Sequence, residues 1–534
     1  METASASSLP SFILLDRSGS DRKFPTGRLA LLCFVKEDCP TCGITMPLIE
    51  AAHRAFRENV DVLAIGQDRR GNDTLVGRYH LTVPMLDDSA LKVSFAYDLD
   101  TVPTVILADG VGQNLRQFIG FARDDWRTLM DELARATGSP APTLDWSSMA
   151  ELRPGCGSKS VEPEIAERLA AEARGERMTA RRIEIGDRED VFEFMFERGL
   201  TDGLPVVPPT PERVRWMLTG TRRDPREVIV TAPPNLAPVT VEKVAINAVM
   251  AGARPEYMPV VIAALQAVCT DEFNIHGVMA TTWGATPVIV VNGPIRRTLG
   301  MNMGIMALGY GTRPNATIGR TLKLVLRNVG GAKPGDIERS TLGAIGKFTT
   351  CFAEWEERSP FEPLHVERGF KKEDNVVTVF GLEAGSRQIA DQTSRTARAL
   401  GGSLGLGLEA CWHPKQHGSG EVLLVISPEH ADTLARDKWT KADLRARIQE
   451  VTSRPLRELI PDAESGEGIP PMAMGLQNPT AEQLEQKIPK FRRPEYINIV
   501  VAGGEAGKFS AVFAGWVSGP MGSSSVSRKI EEAS

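Results

Sequence analysis

Two cysteines separated by two residues, Cys39 and Cys42, lie near the start of this chain of 534 residues. A Cys-x-x-Cys pair serves either as a redox dithiol or as half of a zinc site. A zinc site requires a second pair of ligands, but the next cysteine is Cys156. His53 and His80 lie in sequence that is typical of helices and loops. The pair therefore predicts a redox dithiol.

The residues around the pair predict a strand that leads directly into a helix. The apolar run "RLALLCFV" (28–35) is typical of a buried strand. Pro40 suits the first turn of a helix, where its missing N–H is harmless. Cys39 is then placed at the helix N-terminus, where the helix dipole and the free N–H groups favour its thiolate. Cys42, one turn further along, is the expected resolving thiol.

Residues 8–138 resemble the thioredoxin fold, and within it the TlpA/ResA-like thiol–disulfide oxidoreductases. The matching features are the predicted strands "VDVLAIG" and "TVPTVILAD", the motif "CPTC", Pro47, "VPT" (102–104) and Gly120. The resemblance implies that Pro103 is a cis-proline that faces the dithiol and contacts substrate.

The chain departs from this family at two positions. Cys33 stands where the family has a buried carboxylate, and Asp38 stands where it has a tryptophan. The usual proton acceptor for the resolving thiol is therefore missing, and an extra negative charge borders the nucleophile. We expect Cys33 to be a small buried apolar residue rather than a third redox thiol.

A third cysteine of interest lies in a stretch rich in Pro, Gly and Ser that predicts a domain boundary. In "RPGCGSKS" the flanking glycines make Cys156 accessible, and the cations Arg153 and Lys159 are expected to lower its pKa. Cys156 is predicted to be catalytic, as a thiol relay between two domains. The alternatives are a lid over a C-terminal active site and an incidental linker cysteine.

The composition is that of an ordinary globular protein, and the length predicts more than one domain. A net charge of −6 without a long basic run argues against nucleic acid or an anionic membrane as a partner. The N-terminus lacks the pattern of a signal peptide, and no run of 18 apolar residues predicts a membrane span. The cysteines are odd in number and scattered, which indicates a cytoplasmic protein rather than a disulfide framework.

Beyond residue 180, helical periods alternate with short apolar runs, which is typical of α/β architecture. The predicted strands are "EVIVTA", "PVIVVNG", "NVVTVFG", "EVLLVIS" and "YINIVVAGG", and the predicted helices include "TVEKVAINAVMAGA", "PVVIAALQAVCTDEF", "DQTSRTARALGG" and "SPEHADTLARD". The sequence thus predicts an α/β protein with a thioredoxin-like domain (1–138), a linker and helix (139–180), and a large catalytic or substrate-binding α/β domain (181–534) of unassigned topology.

Four blocks in this region resemble uncharacterised bacterial proteins, some of which accompany candidate (seleno)cysteine redox proteins. The blocks are "DGLPVVPPTPERV", "GPIRRTLGMN", "NATIGR" and "PLHVERGF". The resemblance assigns no activity or catalytic residue. Phosphate-loop and dinucleotide motifs are incomplete in "GGEAGKFS" and "GGSLGLG", so neither ATP nor a nicotinamide cofactor is supported.

A stretch from 276 to 347 is poor in acidic residues and rich in Gly, Asn and Arg. Glycine and asparagine let the backbone approach a ligand closely, and arginine binds carboxylate or phosphate. The candidate substrate-binding residues here are His276, Arg296, Arg297, Arg313 and Arg320. The alternative is a packed interior with arginines on its surface.

A possible metal site is formed by Cys411, His413 and His417 in "CWHPKQH", because thiol and imidazole suit a transition metal. General acid–base chemistry without metal and a purely structural role are the alternatives. The segment "CFAEWEERSPFEPLH" (351–365) offers another thiol, carboxylates and His365. The dithiol itself requires no cofactor.

Together these features predict a thiol-dependent oxidoreductase, in which the dithiol serves redox chemistry of the fused α/β domain. The expected partners are a small anionic or sulfur-containing substrate and a cellular thiol or disulfide as reductant. One alternative is a non-redox lyase or hydrolase, whose thioredoxin-like module protects thiols or binds a partner. The other is a non-catalytic adaptor. The sequence gives no oligomeric state.

Overall fold

The computed structural model describes residues 8–173, 175, 178–186, 189–519 and 521–531. The chain divides into two compact units, Met1–Ile183 and Glu184–Ser534. The first seven residues, part of the N-terminal stretch that lacks the pattern of a signal peptide, lie outside the described residues. No helix within the described ranges is long and apolar enough to cross a membrane.

The first unit contains eleven strands and five helices among its described residues. In chain order they are β1 (Phe12–Leu15), β2 (Asp21–Phe24), β3 (Leu29–Val35), α1 (Pro40–Phe56), β4 (Val60–Gly66), α2 (Arg69–Tyr79), β5 (Met85–Asp87), α3 (Lys92–Ala96), β6 (Thr101–Val102), β7 (Thr104–Ala108), β8 (Asn114–Ile119), β9 (Phe121–Ala122), α4 (Arg123–Thr137), β10 (Leu152–Arg153), β11 (Cys156–Gly157) and α5 (Pro163–Ala173). Two 3₁₀ helices span Trp146–Ser148 and Lys159–Val161.

Five of these strands form the central sheet in the order β5-β4-β3-β7-β8. Strand β3 pairs in parallel with β4 and antiparallel with β7. Because β3 is central, six of its seven residues are buried, which explains the continuous apolar run in the sequence. Helices α1 and α4 bury their apolar faces in the same core as the sheet. This is the thioredoxin arrangement, as the sequence predicted.

The segment after α4 is not the irregular linker that the sequence predicted. β10 pairs with β9, and β11 pairs with β6, so the chain after residue 138 returns to the thioredoxin-like unit. Trp146 and Met149 pack against its core. The boundary of the first unit therefore lies at Ile183 and not at residue 138. Glycine and serine here serve close packing and hydrogen bonding, rather than flexibility.

The second unit contains twelve strands and thirteen helices among its described residues. In chain order they are α6 (Val191–Glu197), α7 (Pro211–Leu218), β12 (Val228–Ala232), β13 (Ala237–Thr240), α8 (Val241–Ala251), α9 (Met258–Val268), α10 (Ile275–Ala280), β14 (Ala285–Asn292), α11 (Ile295–Thr298), α12 (Arg313–Asn328), β15 (Cys351–Ala353), α13 (Leu364–Glu367), β16 (Val376–Glu383), β17 (Arg387–Ala390), α14 (Ala397–Glu409), β18 (Val422–Ile426), α15 (Pro428–Arg436), α16 (Lys441–Thr452), β19 (Arg454–Pro455), α17 (Leu456–Leu459), α18 (Ala481–Glu485), β20 (Lys487–Ile488), β21 (Ile497–Val501), β22 (Phe509–Ala514) and β23 (Val526–Lys529). Short 3₁₀ helices span Pro255–Tyr257, Ile345–Lys347, Pro471–Met474 and Pro494–Tyr496.

Two mixed four-stranded sheets dominate this unit, in the orders β15-β14-β16-β23 and β17-β22-β18-β21. One apolar core joins the two sheets, and a second core joins β18, β21 and β22 to helices α14, α15 and α16. Helices α9, α10 and α12 contact the first sheet. The described residues of the second unit thus form four layers in the order helix, sheet, sheet, helix. This arrangement confirms the predicted α/β class and supplies the topology that the sequence left unassigned.

Adjacent residues of β18 show why its sequence does not alternate. Leu423 and Val425 lie in the core between the sheets, whereas Val422 and Leu424 lie in the core beneath the helices. Both faces of the strand are buried, so every position is apolar. One predicted helix was wrong at its start, because α14 begins at Ala397, not in "DQTSR". Asp391 instead accepts hydrogen bonds from the next turn, at Thr393 and Ser394.

Candidate active site

Cys39 lies at the junction between β3 and α1, at the N-cap of the helix. Pro40 is the first helical residue, so the helix begins without needing a donor there. The Cys39 sulfur accepts a hydrogen bond from the backbone N–H of Cys42 at 3.3 Å. The same sulfur lies 3.5 Å from the carbonyl oxygen of Val102, and Cys39 is only 2% exposed.

The surroundings of Cys39 favour its thiolate. Hydrogen bonding from the Cys42 thiol lowers the pKa of Cys39 to about 5, and burial opposes this shift. The Cys156 thiol and the backbone N–H groups of Cys42 and Thr41 lower the same pKa further. All these donors act on one sulfur at a helix N-terminus, and together they favour the charged form of Cys39.

Cys42 is fully buried and has the opposite character. Burial raises the pKa of the Cys42 thiol, and the hydrogen bond to the neighbouring Cys39 sulfur raises it further. Its sulfur accepts the backbone N–H of Lys36 at 3.4 Å, the contact that favours its thiolate. Cys42 therefore stays protonated while Cys39 is ionised.

Pro103 borders this pair, between β6 and β7. The Val102–Pro103 peptide bond is cis, as the resemblance implied. The carbonyl of Pro103 accepts the N–H of Gly120 at 2.8 Å. Gly120 has φ +76°, and a Cβ there would lie 2.9 Å from the carbonyl oxygen of Arg153. The glycine thus permits the close approach of a later segment.

That later segment, residues 151–160, is called here the covering segment. Its β11 runs antiparallel to β6, with Cys156 directly opposite Val102. The Cys39 sulfur lies 3.5 Å from the carbonyl oxygen of Val102, so this register places Cys156 beside Cys39, and each of these two thiols shifts the pKa of the other. Cys156 is partly exposed, whereas Cys39 and Cys42 are buried.

Buried polar contacts hold the covering segment in place. Thr41 donates its hydroxyl to the carbonyl of Pro154 at 2.7 Å. Gln67, which is 2% exposed, donates to the Ser158 hydroxyl at 2.7 Å and accepts the N–H of Lys159 at 3.1 Å. These partners come from α1 and from the loop after β4. The sequence carried no local signal for them, because each contact spans about ninety residues or more.

The two cations that were expected to lower the pKa of Cys156 have other surroundings. Lys159 pairs with Asp68 at 3.1 Å, and Arg153 is exposed. The pKa of Cys156 is raised, chiefly by its hydrogen bond to Cys39, and not lowered as predicted. Lys36 is the cation that favours its thiolate.

The two departures from the family pattern have structural consequences. Cys33 is completely buried in β3, and burial raises the pKa of its thiol, as expected for an apolar role. Asp38 is exposed and lies 3.5 Å from the ammonium group of Lys36. Its charge is therefore partly balanced beside the nucleophile.

The candidate substrate-binding residues of the second unit do not form one site. Arg296 is buried and pairs with Glu356 at 2.9 Å, and Arg297 pairs with Glu357 at 2.8 Å. Arg320 pairs with Asp202, and Arg313 donates to the carbonyls of Gly252 and Ala253. His276 is exposed on α10. The arginines thus stabilise the fold through internal partners.

The predicted metal ligands are likewise kept apart from one another. Burial in the helix-covered core raises the pKa of Cys411 to about 11. His413 Nδ1 accepts the N–H of Lys415, while His417 Nδ1 faces the carbonyl of Ile488 at 3.1 Å. Burial lowers the pKa of His417 to about 4. Within the described ranges, no group of three His, Cys, Asp or Glu side chains is arranged to hold a metal ion.

The segment from Cys351 to His365 is mostly interior. Cys351 is buried in β15, and His365 is buried in α13 with its Nδ1 3.9 Å from Glu356. Glu354 is completely buried, and burial raises its pKa. Its carboxylate accepts hydrogen bonds from Asn292 at 2.7 Å and from the Leu364 N–H at 2.9 Å. These contacts join β14, β15 and α13.

A cavity of about 400 Å³ lies in the second unit. The residues that line it include Ser427, Ser510, the segment 306–309, and Ala502, Gly503, Gly504, Ala506 and Gly507. The segment 306–309 belongs to the stretch 276–347, in which the sequence analysis placed candidate substrate-binding residues. Residues 502–507 lie in the turn between β21 and β22, which contains the incomplete phosphate-loop sequence.

No protein-family model matches the chain. A stretch of 115 residues is 27% identical to thiol-disulfide oxidoreductase ResA from Geobacillus kaustophilus (strain HTA426), covering 21% of this chain and 66%, just under two thirds, of that protein. Similar solved structures include a putative thiol:disulfide interchange protein DsbE from Chlorobium tepidum, with 22% identity and a TM-score of 0.23, covering 25% of this chain and 96% of that one. StoA from Bacillus subtilis has 22% identity and a TM-score of 0.20, covering 22% of this chain and 96% of that one.

The chain therefore contains a thioredoxin-like domain similar in sequence to a thiol-disulfide oxidoreductase, over about a fifth of its length. The resemblance of the C-terminal blocks to uncharacterised bacterial proteins gains no support from these comparisons.

Proposed function

We propose that the protein is a thiol–disulfide oxidoreductase, in which Cys39 attacks a disulfide and Cys42 resolves the mixed disulfide. The observation that carries the proposal is the asymmetry between two thiols one helical turn apart. The pKa of Cys39 is lowered to about 5, whereas burial raises that of Cys42. At neutral pH one thiol is ready to attack, and the other keeps its proton until the first step is complete.

The reaction conserves atoms and electrons. The Cys39 thiolate attacks one sulfur of the substrate disulfide, forms a mixed disulfide and releases the other half as a thiolate, which takes up a proton. Cys42 then loses its proton and attacks the Cys39 sulfur. The mixed disulfide breaks, a Cys39–Cys42 disulfide forms, and the second substrate thiol leaves. Two electrons have moved from the protein to the substrate.

The first step also activates Cys42. In the reduced protein, the Cys39 sulfur raises the pKa of Cys42 both by hydrogen bonding and by charge. Once Cys39 is in a mixed disulfide, its negative charge is gone, so the pKa of Cys42 falls. The Lys36 N–H, 3.4 Å from the Cys42 sulfur, is placed to stabilise the new thiolate. In the family that the domain resembles, a buried carboxylate at the position of Cys33 is the usual proton acceptor for the resolving thiol. Here that carboxylate is missing, and the contact with the Lys36 N–H stabilises the Cys42 thiolate.

The proposal extends to the second unit, whose redox chemistry the dithiol would serve. A covalent connection between the two units gives an effective concentration of about millimolar without a tight docking surface. The cavity near Ser427 has room for a small anionic or sulfur-containing substrate. A cellular thiol supplies the electrons, and the dithiol needs no cofactor because thiol exchange moves electrons between sulfur atoms directly. The seven cysteines are odd in number and scattered along the chain, so the proposed site of action is the cytoplasm.

A reaction of the full chain with a small disulfide tests this proposal. Reduced protein is mixed with hydroxyethyl disulfide, and both protein thiols and released small thiols are counted over time. We expect two protein thiols to be consumed per small disulfide reduced, and Cys39→Ser to react at the background rate. Cys33→Ala is the matched control in the same domain, and it should react like the wild type. Wild-type reaction of Cys39→Ser would refute the proposal.

A further inference from the structure

The covering segment lies where an extended peptide would have to bind in order to reach Cys39. We propose that it is an internal substrate: Cys156 exchanges disulfides with Cys39, and electrons leave the dithiol through Cys156. This inference rests on the proposed function, because it takes Cys39 as the attacking thiol.

The backbone of the segment occupies the edge beside Pro103. Cys156 lies opposite Val102 and Gly157 opposite Thr101 in antiparallel register. The N–H of Ser158 continues the pairing to the carbonyl of Asp100 at 2.8 Å. Adding a strand to a free sheet edge is a common way to bind an extended peptide. Here the chain supplies that strand itself, and the residue opposite Val102 is a cysteine.

Gly155 and Gly157 flank Cys156, and the space around these two glycines differs. A Cβ at Gly155 would lie 2.3 Å from Thr101 Cγ2 and 2.7 Å from the Val102 carbonyl oxygen. A Cβ at Gly157 would meet nothing within 4 Å. Gly155 is therefore the position where the close approach of the segment requires glycine. The fit holds Cys156 in register with Val102, whose carbonyl oxygen lies 3.5 Å from the Cys39 sulfur.

Cys39 and Cys156 differ in how far they are exposed to solvent. Cys39 is 2% exposed beneath the segment, and Cys156 is partly exposed. A bulky disulfide therefore meets Cys156 before it meets Cys39. Reaction at Cys39 itself would require the segment to leave and break its contacts with Thr41 and Gln67.

The proposed exchange is balanced at each step. The Cys156 thiol loses its proton as its sulfur attacks one sulfur of the external disulfide, and the released thiolate takes up that proton. The Cys39 thiolate then attacks the Cys156 sulfur, releases the second thiol, and forms the Cys39–Cys156 disulfide. Cys42 next attacks Cys39, forms Cys39–Cys42, and frees Cys156 with a proton. The two electrons come from Cys39 and Cys42, and Cys156 returns to its starting state.

Trapping in the full chain tests the exchange. Cys42→Ser is oxidised with one equivalent of oxidised glutathione and alkylated, and its tryptic peptides are mapped without reduction. We expect the peptide 37–54, which contains Cys39, to be linked to the peptide 136–159, which contains Cys156. Cys42→Ser/Cys156→Ala is the control, and it should carry glutathione on Cys39 instead. Glutathione on Cys39 of Cys42→Ser, with no link to Cys156, would overturn the inference.

A matched pair of glycine variants tests the seating of the segment. Gly155→Ala should displace it, so alkylation of Cys39 in the reduced protein should become at least about tenfold faster. Gly157→Ala, where the added methyl group meets open space, should leave the Cys39 rate unchanged. Circular dichroism of both variants checks that the domain is folded. Equal Cys39 rates in two folded variants would also overturn the inference.

The outcomes separate this inference from the proposed function. If wild-type protein forms a Cys39–Cys42 disulfide, but neither test above succeeds, the proposed function stands and the inference fails. If Cys39→Ser reduces hydroxyethyl disulfide as fast as the wild type, the proposed function itself fails, and the inference fails with it.

Discussion

The charge on Cys39 depends on several donors that act on one sulfur atom, among them the backbone N–H of Thr41. The Cys42 thiol is the strongest of them, and the Cys156 thiol and the backbone N–H of Cys42 add to it. They outweigh the burial that would otherwise favour the neutral thiol. Reactivity with an alkylating agent follows the thiolate fraction, so it reports this balance directly.

The first prediction is the pH profile of Cys39. Because the pKa of Cys39 is lowered to about 5, its alkylation rate should be nearly constant from pH 6 to 8. Below pH 5 the thiolate is lost, and the rate should fall about tenfold per pH unit. Peptide mapping after brief treatment with iodoacetamide measures the rate at each pH.

The matched variant for this profile is Cys156→Ala. It removes one donor to Cys39, so the pKa midpoint of the profile should move upward from the wild-type value. A wild-type rate that keeps rising through pH 8, as for an ordinary cysteine, would contradict the assignment of Cys39 as the ionised thiol.

The position of Cys39 at the N-cap of a helix, with Cys42 one turn further along, could be predicted from local sequence, because the strand, the motif and Pro40 are neighbours. The environment of Cys156 could not be predicted from local sequence. Its partner in the structure is Cys39, and the adjacent Lys159 is paired with Asp68. Sequence neighbours predict a pKa only when the chain does not bring closer groups from elsewhere. For the same reason, the sequence did not predict that Arg296 and Arg320 form ion pairs within the fold, because their carboxylate partners lie far along the chain.

At the scale of elements, the covering segment depends on Gln67 in the loop after β4. The side chain is buried and bonds Ser94, Ser158 and the N–H of Lys159. Removing it would leave buried polar groups of the segment without their partner.

The second prediction is therefore that Gln67→Ala loosens the covering segment. Alkylation of Cys39 should become about five- to thirtyfold faster, since one unsatisfied buried group costs about 1–2 kcal/mol. Asn114→Ala is the control, because Asn114 bonds Gln117 at the surface of the same domain. An unchanged Cys39 rate in Gln67→Ala would show that these contacts do not hold the segment.

The elements that could be predicted are those with a strong pattern of their own. β3 and β18 are continuous apolar runs, and β14 contains the run "PVIVV", because both faces of each strand are buried. β15 has three residues, and β17 is mostly exposed at a sheet edge. Such edge strands form only when a partner strand is present, so their sequences alone carry little signal.

At the scale of the whole molecule, the division after Ile183 assigns the cysteine-bearing segment to the thioredoxin-like unit. Leu144, Trp146, Met149 and Ala150 pack against the core of that unit. The apparent linker therefore contributes to stability as well as to the site.

The third prediction compares two fragments of the chain. Residues 1–183 should unfold cooperatively, whereas residues 1–138 lack the covering segment and its apolar contacts. The shorter fragment should lose about 2–5 kcal/mol of stability and should expose Cys39 to rapid alkylation. Urea denaturation and peptide mapping measure the two effects. Equal stability and equal Cys39 reactivity would place the boundary at residue 138 after all.

The sequence predicted an α/β class for the second unit, but it did not predict two sheets packed face to face. An apolar run indicates that a strand is buried on both faces, and does not indicate whether a helix or another sheet covers each face. Only the pairing of distant strands, such as β16 with β23, distinguishes the arrangements.

The most direct test of the account is a redox titration of the wild-type protein in glutathione buffers, with every cysteine quantified by peptide mapping. We predict a reversible two-electron transition at Cys39, which pairs with Cys42 and, in a smaller fraction, with Cys156. Cys33, Cys269, Cys351 and Cys411 should remain reduced throughout, because burial raises the pKa of each of these thiols. A Cys39 that stays reduced across the whole range, or that accumulates only glutathione, would contradict the account.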